Sequence, residues 1–263
     1  MSIQLKNDVI QVKVLERGAE LCSLKHINDD TEYIWNANPV YWKRHAPVLF
    51  PIVGRVVNDQ FRVNGETYHL GQHGFARDMD FLVTDQSEFH VTLTLKWDHE
   101  TLKVYPFKFE FAITYTIDKK KVSIEYRVKN VDQKPIYFAV GAHPGFNCPI
   151  KEGDSFEDYY FEFEAIEDAE VTLLANNGLL KREKVPYLNN QNTIDINHEL
   201  FKNGALIFDN LQSKRISLKS RKSDRCVHVD FDGFPFLGLW SKSEGAPFVC
   251  IEPWVGHADY EDF

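Results

Sequence analysis

Apolar and polar residues alternate with a period of two through most of this 263-residue chain. One such run covers residues 88–97, and two more, at 107–117 and 122–128, flank the polar segment 118–121. This alternation is typical of half-buried β-strands, and a short polar turn between two runs predicts a hairpin. The one helix-like stretch is short, near residues 198–201. We therefore predict an all-β fold, a large antiparallel β-sandwich with very little helix.

Composition and spacing extend this prediction to the whole chain. The 20 Phe and 11 Tyr residues, against 2 Met, favour strands over helices. No linker rich in Gly, Ser or Pro divides the chain, and its length fits one large all-β domain, so residues 1–263 are predicted to form a single domain. Further strands are predicted at 9–14, 20–27, 61–64, 79–84, 158–165, 171–174, 205–208, 215–219, 226–231, 236–240 and 248–252.

Charge and cysteine content exclude several classes of protein. The formal net charge is −9, and the longest basic run, Lys119-Lys120-Lys121, lies in the predicted hairpin turn. A nucleic-acid-binding protein normally carries a basic face, so we expect no nucleic-acid partner.

No apolar run reaches the ~18 residues of a membrane span, and no apolar segment follows the first residues. We therefore expect no membrane partner, no signal peptide and a cytoplasmic protein. The four cysteines lack CxxC spacing, and three of them lie in apolar runs, so they are expected to be buried free thiols.

The most informative polar residue is His143, which follows the apolar run 136–140 and is itself followed by Pro144. Proline restrains the residue before it to extended geometry, so the imidazole is held in one orientation. It lies at the end of what is predicted to be a buried strand. An imidazole held in this way is more useful in a ligand-binding pocket than in the hydrophobic core.

Glu252 repeats the same arrangement in the segment Cys250-Ile251-Glu252-Pro253-Trp254. A carboxylate again ends an apolar run and again precedes a proline. Its neighbour Trp254 would partly desolvate the carboxyl group, which raises the pKa towards neutrality. A general base that works near neutral pH needs this tuning. Taken singly, a histidine or glutamate at a strand end is more often structural, and the repetition is what favours a catalytic pair.

Two glycine-containing segments each supply an arginine. Phe50-Pro51-Ile52-Val53-Gly54-Arg55 lies in the long segment 36–60, which has little alternation but many aromatic residues. Gly71-Gln72-His73-Gly74-Phe75-Ala76-Arg77 lies between two predicted strands. A long loop inside a compact domain is usually functional or disordered, and the aromatic residues argue against disorder. Arg55 and Arg77 are therefore candidate ligand-binding residues, although each could instead pair with a surface carboxylate.

Over nearly its whole length the chain resembles the aldose 1-epimerase (galactose mutarotase-like) superfamily, with the greatest similarity to its LacX-like bacterial branch. Any one of the shared motifs is weak, but their ordered set is specific. The resemblance implies a β-supersandwich and a reaction that interconverts the α and β anomers of a sugar, with no cofactor and no metal. It rests on Phe50-Pro51-Ile52-Val53-Gly54-Arg55, His73-Gly74-Phe75-Ala76-Arg77, Gly141-Ala142-His143-Pro144-Gly145-Phe146 and Glu252-Pro253-Trp254, in that order.

The resemblance also implies roles for the matching residues. Glu252 would be the base that takes the proton from the C1 hydroxyl, and His143 would be the acid that protonates the ring oxygen. His73 would help to hold the ring oxygen. Arg55 would hydrogen-bond to sugar hydroxyls.

A sugar-binding carboxylate is also expected in this family. Asp209, in Phe208-Asp209-Asn210, is the best local match, and Asp230 and Asp232 compete with it. Trp240 or Trp254 is expected to stack on the apolar face of the sugar, although either could equally belong to the core.

The sequence departs from the galactose mutarotase pattern at one point. Galactose mutarotases usually follow the first histidine with a second glycine, whereas His73 is followed by Gly74-Phe75-Ala76-Arg77. This pattern looks more like that of hexose-6-phosphate mutarotases, in which arginines bind the phosphate. Arg77 and Arg55 could do so here, because a guanidinium group matches phosphate oxygens bidentately. The substrate is therefore predicted to be a hexose or a hexose 6-phosphate.

Three other functions are alternatives to the epimerase. A non-catalytic carbohydrate-binding protein would need Arg55, Asp209 and a stacking tryptophan, but not the pair of His143 and Glu252. A glycoside hydrolase would need a second carboxylate, for which no comparable signal exists. A zinc site of His73, His143 and Glu252 lacks HxH or HExxH spacing, so no metal is predicted. The expected partner is a small sugar or sugar phosphate, while the anomer preference and the choice between monomer and homodimer stay open.

Overall fold

The structure is a computed structural model and describes residues 1–242 and 245–263. Within these ranges it contains nineteen strands, one short α-helix and three turns of 3₁₀ helix. The helix α1 is His99–Val104, and the 3₁₀ turns are Val57–Asp59, Ala76–Asp78 and Phe156–Asp158. The strands are β1 (Ser2–Lys6), β2 (Ile10–Leu15), β3 (Leu21–His26), β4 (Val48–Leu49), β5 (Gln60–Val63), β6 (Glu66–His69), β7 (Leu82–Gln86), β8 (His90–Lys96), β9 (Phe109–Asp118), β10 (Lys121–Asn130), β11 (Val140–Ala142), β12 (Gly145–Asn147), β13 (Tyr159–Leu174), β14 (Leu180–Asp195), β15 (Leu206–Phe208), β16 (Arg215–Ser220), β17 (Cys226–Asp230), β18 (Phe236–Trp240) and β19 (Phe248–Val255).

The strands form antiparallel sheets, the largest of which has ten strands. Its order is β17-β16-β13-β15-β18-β19-β11-β4, with β12 paired to β19 and β14 paired to β13. A second sheet has the order β10-β9-β8-β7, and smaller sheets are formed by β1-β2-β3 and β5-β6. The prediction of an all-β antiparallel fold with very little helix is therefore confirmed. None of the described helices is long and apolar enough to span a membrane.

Alternating burial explains why these segments form strands. Along β9 every second side chain is buried, from Phe109 to Ile117, and the residues between them are half-buried or exposed. Burial of one such large apolar side chain stabilises a fold by roughly 1.5–3 kcal/mol. Lys121 pairs with Asp118, so residues 119 and 120 form the turn of the predicted hairpin. One cluster of buried apolar side chains includes residues from Ile3 to Ile251 and joins the sheets.

The helix prediction was wrong in position. Residues 198–201 form turns, and the helix lies at His99–Val104 instead. It begins at Asp98, whose side chain accepts a hydrogen bond from the Thr101 N–H at 2.7 Å, while the Asp98 N–H donates to Thr101 Oγ1 at 2.9 Å. This reciprocal cap satisfies backbone donors that are unpaired in the first turn of a helix. The helix at His99–Val104 therefore begins at a local side-chain cap, a signal that the apolar pattern does not contain.

Two strand predictions also need correction. The run 136–140 is not a buried strand, since β11 begins only at Val140 and the side chains of Tyr137 and Phe138 are exposed. The strands predicted at 158–165 and 171–174 are one continuous strand, β13, whose pairing with β14 shifts register at several bulges. A bulge inserts an unpaired residue and interrupts the alternation on which the prediction rested.

The order of strands in the large sheet determines where the candidate site forms. Strand β19 lies between β18 and β11, and β11 lies between β19 and β4. Gly141 of β11 pairs with Trp254 of β19, and Gly238 of β18 pairs with Glu252. His143 directly follows β11, so it reaches the same part of the sheet as Glu252.

Candidate active site

A cavity of about 320 Å³ opens at this part of the large sheet. Its volume falls at the lower end of the roughly 300–1,000 Å³ range of small-molecule sites. The lining residues come from five strands and the loops beside them: Trp42, Val53, Gly54, Gln72, His73, Arg77, His143, Leu174, Gly178, Leu180, Gly204, Ala205, Ile207, Trp240, Glu252, Trp254, His257 and Ala258. A second, more open recess contains none of the predicted site residues and is lined by Gln4, Lys6, Asn7, Asp8, Gln86, Ser87 and Glu88.

Glu252 and His143 meet on the floor of the cavity. The Nε2 atom of His143 lies 3.3 Å from Oε2 of Glu252, and the Glu252 side chain is only 2% exposed. The backbone N–H of His143 donates to the carbonyl of Pro47 at 3.1 Å, which fixes the main chain at the end of β11. The two residues singled out in the sequence as strand-ending groups before a proline are thus in contact.

Glu252 differs from the other deeply buried carboxylates. Glu167 accepts hydrogen bonds from the N–H groups of Gln212 and Ser213, at 3.0 and 2.7 Å. Such backbone donors stabilise a buried charge and are typical of a structural carboxylate. Glu252 faces the imidazole of His143 instead. The described contacts of Glu252 are therefore with the side chain of His143 rather than with the backbone of a loop.

Burial moves the pKa values of this pair in opposite directions. Desolvation raises the pKa of Glu252 well above its ordinary value of 4.5. The nearby indole N–H of Trp254 lowers the pKa by a smaller amount. Nε1 of Trp254 is nevertheless too poorly aligned to count as a hydrogen-bond donor to Glu252. Desolvation lowers the pKa of His143 from 6.5 to about 3, and the charges of Arg77 and Arg44 add to the shift. Burial therefore favours a neutral imidazole and a protonated carboxyl group over the charged pair.

Aromatic rings enclose the imidazole of His143. The ring centroid of Trp42 lies 4.9 Å away, that of Trp240 5.6 Å and that of His73 5.7 Å. Within the described part of the chain, Nδ1 of His143 is buried and has no hydrogen-bond partner. Many catalytic histidines are oriented by a hydrogen bond at this atom. Here packing of the rings and the following proline hold the orientation.

Two glycines make room for the indole of Trp254, which lies beside Glu252. A Cβ atom added to Gly238 would lie 2.6 Å from the indole ring, and one added to Gly141 would lie 2.6 Å from its Cδ1 atom. Separations below 3.0 Å force something to move. The glycine of the motif before His143 therefore serves to seat Trp254 against the sheet.

His73 is held in a fixed tautomer by the loop that carries Gly54. The backbone N–H of Gly54 donates to Nδ1 of His73 at 3.0 Å, and the His73 N–H donates to the Gly54 carbonyl at 2.7 Å. A backbone N–H can only donate, so Nδ1 is an acceptor and the proton of the neutral ring lies on Nε2. Burial lowers the pKa of His73 well below 6.5, which keeps the ring neutral. His73 therefore offers one N–H donor from Nε2.

The two predicted arginines differ in position. Arg77 lines the cavity, its Nη2 donates to the carbonyl of Gln72 at 2.6 Å, and its Nε is buried without a hydrogen-bond partner among the described residues. Arg55 does not line the cavity, and its side chain is 41% exposed with Nε 3.8 Å from Asp59. Its Cδ packs beside Gly178, which does line the cavity, so Arg55 lies at the rim.

The structure does not bring the predicted sugar-binding aspartate into the cavity. Asp209 forms an ion pair with Lys184 at 2.5 Å and is absent from the lining. Asp230 pairs in the same way with Arg215, at 2.6 Å, and Asp232 is exposed. None of the three aspartates considered in the sequence analysis contacts the pair of His143 and Glu252.

Several lining residues are not predicted by any motif of the sequence. Trp42 lies in the aromatic-rich segment 36–60, and that composition was the one signal that could have identified it. His257 donates from Nδ1 to the carbonyl of Ala258 at 2.7 Å, which leaves its Nε2 as an acceptor. One wall is apolar and had no motif to predict it: Leu174, Leu180, Ala205 and Ile207.

The raised pKa of Glu252 predicts a stability difference that depends on pH. The folded state holds this proton more tightly than the unfolded state does, so the free energy of unfolding falls as pH rises above 4.5 towards the folded-state pKa. We expect Glu252→Gln, which cannot ionise, to gain stability relative to the wild type as pH rises from about 5 to about 7. Urea midpoints of both proteins at the two pH values measure this. The lowered pKa of His143 changes the free energy of unfolding with pH in the opposite direction, but His143 is present in both proteins. A stability difference between the two proteins that does not change with pH would contradict the raised pKa of Glu252.

Comparison with known proteins identifies the class of fold. The structure of a galactose mutarotase related enzyme from Lactobacillus acidophilus matches with a TM-score of 0.95 and 39% identity, over 100% of this chain and 88% of that one. A galactose mutarotase-like protein from Lactobacillus casei matches with a TM-score of 0.93 and 35% identity, over 98% and 89%. The fold is therefore the galactose mutarotase-like β-supersandwich, as the sequence resemblance implied.

Sequence comparison identifies the family. The family model described as aldose 1-epimerase matches residues 1–261. The chromosomal form of protein LacX from Lactococcus lactis subsp. lactis is 39% identical over 264 residues, which cover 97% of this chain and 88% of that protein. The plasmid form is 38% identical over the same share of each. The chain belongs to the aldose 1-epimerase family.

Proposed function

We propose that this protein is an aldose 1-epimerase, an isomerase that interconverts the α and β anomers of a hexose or a hexose 6-phosphate. The observation that carries the proposal is the contact of 3.3 Å between Nε2 of His143 and Oε2 of Glu252 inside a cavity of sugar-binding size. Mutarotation needs one group that accepts a proton from the C1 hydroxyl and one that donates a proton to the ring oxygen. A buried carboxyl–imidazole pair supplies both.

Ring opening requires two proton transfers, one to the enzyme and one from it. The carboxylate of Glu252 takes the proton of the C1 hydroxyl, the imidazolium of His143 gives its proton to the ring oxygen, and the bond between C1 and that oxygen breaks. The products are the open-chain aldehyde, a protonated Glu252 and a neutral His143. The charged starting pair forms when the proton of Glu252 moves to Nε2 of His143 across the 3.3 Å contact. Burial favours the uncharged pair that ring opening restores. Rotation about the C1–C2 bond and reversal of both transfers give the other anomer.

The remaining cavity residues suit a bound sugar. The Nε2–H of His73 is positioned to donate to a sugar oxygen, because the Gly54 N–H occupies Nδ1. Trp240 presents an aromatic ring of the kind on which the C–H face of a sugar stacks, and Arg55 at the rim can hydrogen-bond to hydroxyls. Asp209 would have to leave Lys184 to take part, so we propose that Arg77 and Gln72 supply polar contacts in its place.

Anomer exchange measured on a panel of sugars tests this proposal. A freshly dissolved single anomer of glucose, galactose and each 6-phosphate is followed by polarimetry or by NMR exchange, with and without protein. We expect at least one sugar to equilibrate faster than in buffer alone. Sugar binding detected by calorimetry with no gain in rate over buffer would instead support a carbohydrate-binding protein, and release of a chromogenic aglycone would support a hydrolase.

Arg77 provides a test of whether the substrate is phosphorylated. Its Nε is a buried donor without a hydrogen-bond partner in the described residues, and it would gain a charge-assisted bond from a phosphate. We expect Arg77→Ala to raise KM for a hexose 6-phosphate about 10- to 100-fold, the equivalent of roughly 1.5–3 kcal/mol for hydrogen bonds to a charged group. KM for the free hexose should change far less. Arg127→Ala, at an exposed position on β10, is the matched control, and equal effects of Arg77→Ala on both sugars would contradict phosphate binding there.

A further inference from the structure

Cys250 lies beside the acid–base pair and takes no part in the proposed reaction. One ligand atom each from His143, Cys250 and Glu252 lies within 4.8 Å of the others. Cys250 and Glu252 are two residues apart on β19, so both side chains point to the same face of the sheet. His143 approaches from the end of the neighbouring strand. Among the described residues, these form the one group of three or more His, Cys, Asp and Glu residues with such spacing.

The three side chains are of the types that bind zinc. Thiolate, imidazole and carboxylate are its usual ligands, at about 2.0–2.3 Å in tetrahedral geometry, which sets ligand atoms roughly 3.3–3.8 Å apart. Nε2 of His143 and Oε2 of Glu252 are already 3.3 Å apart. The ligand atom of Cys250 lies at most 4.8 Å from those of His143 and Glu252, so the side chains would have to move by about 1 Å to bind one ion.

Charge and hydrogen bonding are also compatible with a bound cation. A thiolate and a carboxylate together would offset the two charges of the ion, so the buried complex would carry no net charge. The side chain of His143 is only 11% exposed, and its Nδ1 has no hydrogen-bond partner in the described part of the chain. Arg77 and Arg44, whose charges would oppose a cation, both lie beside Asp78. Nη2 of Arg44 contacts its carboxylate at 3.0 and 3.2 Å, and Nε of Arg77 lies 3.8 Å from it.

We propose that His143, Cys250 and Glu252 form an inhibitory binding site for a thiophilic divalent cation such as Zn²⁺. His143 and Glu252 line the cavity and Cys250 lies beneath them, so the ion would sit on the cavity floor with its open coordination position towards the cavity. The ion occupies the two groups that transfer protons and therefore competes with the sugar reaction. The inhibitory role rests on the proposed epimerase function, whereas the binding site itself does not.

Metal binding is tested first without any sugar. Co²⁺ is titrated into the purified protein, and a sulfur-to-cobalt charge-transfer absorption is expected, while calorimetry with Zn²⁺ is expected to give one ion per chain. Cys250→Ser should abolish the absorption and weaken Zn²⁺ binding by at least about 100-fold, since loss of even an outer-shell partner costs roughly 10–100-fold. Circular dichroism checks that the variant is folded. Glu252→Gln, which keeps the thiol, should also weaken Zn²⁺ binding.

Two other cysteines serve as matched controls. Cys22 and Cys226 are free and partly exposed, so they are the thiols that would bind the ion non-specifically. Cys22→Ser and Cys226→Ser are expected to keep both the absorption and the affinity. Loss of the signal in either control, or its persistence in Cys250→Ser, would overturn the site.

Inhibition is then measured as the ratio of rates with and without Zn²⁺ for each protein. We expect the wild type to be inhibited, with the inhibition relieved by excess sugar, and Cys250→Ser to resist the same Zn²⁺ concentration. Binding without inhibition of an active enzyme would overturn the competition. If no sugar is a substrate, the epimerase proposal fails, and the absorption and calorimetry still decide whether the cation site exists.

Discussion

Replacement of Glu252 by glutamine is expected to lower kcat for anomer interconversion by about 10²–10⁴-fold, the usual contribution of a positioned acid or base. Glutamine keeps the volume of the side chain but cannot accept the proton of the C1 hydroxyl. His143→Asn is expected to have a similar effect, because the ring oxygen then leaves without a proton. The two groups act in one step, so the double variant should lose much less than the product of the two single losses.

Polarimetry of a freshly dissolved anomer measures these rates against the spontaneous rate in buffer. The matched controls are Glu170→Gln, at an exposed position on β13, and His69→Asn, at an exposed position on β6. Both are expected to retain the wild-type rate. Wild-type rates in Glu252→Gln and His143→Asn, with intact folds, would remove the assignment of base and acid.

Substitution of Gly74 by alanine is expected to destabilise the fold strongly. Gly74 has φ +68°, and a Cβ atom there would collide with the carbonyl oxygen of Phe50 and lie 2.7 Å from Cδ of Pro51. That carbonyl accepts hydrogen bonds from the two residues that follow, Phe75 and Ala76, both at 3.1 Å. A left-handed non-glycine residue costs about 1–3 kcal/mol and overpacking costs about another 1–3, so we expect a loss of about 2–6 kcal/mol.

Gly65→Ala is the matched control for this substitution. Gly65 has φ +88°, but a Cβ atom there meets no atom within 4 Å. The Gly65→Ala variant is therefore destabilised only by the left-handed backbone conformation, by about 1–3 kcal/mol. Urea denaturation gives both values from the midpoints and slopes. Equal losses in the two variants would show that the close approach to Phe50 contributes nothing.

The fold was predictable because most strands have one buried face. The alternation along β9 and β10 predicted the hairpin, and the polar residues 119 and 120 form its turn. β14 was not predicted, because only Leu180, Leu188 and Ile194 of its sixteen residues are buried and few positions carry an apolar signal. The helix at His99–Val104 depends on the cap at Asp98, which hydrophobic periodicity cannot detect. Whether the whole chain is one domain stays a prediction.

The core of the candidate site was predictable for a different reason. His143 and Glu252 each end an apolar run before a proline, and neighbouring strands bring them together. The aspartate could not be chosen from local sequence, since the contact that holds Asp209 is with Lys184 on another strand. The apolar wall was also inaccessible, because its residues look like ordinary core positions until the strands are assembled. Roles for these residues in catalysis stay predictions until the variants are measured.

Three of the five tryptophans of the chain, Trp42, Trp240 and Trp254, line the cavity. Indole emission is sensitive to the polarity and contacts of the ring, so any ligand that fills the cavity will change the fluorescence of the protein. The remaining two, Trp35 and Trp97, lie outside the lining, and the Nε1–H of Trp35 donates to the carbonyl of Trp42 at 2.9 Å. The protein thus carries its own optical label, with which equilibrium binding can be titrated in variants that no longer catalyse anything, and for sugars that have no chromophore.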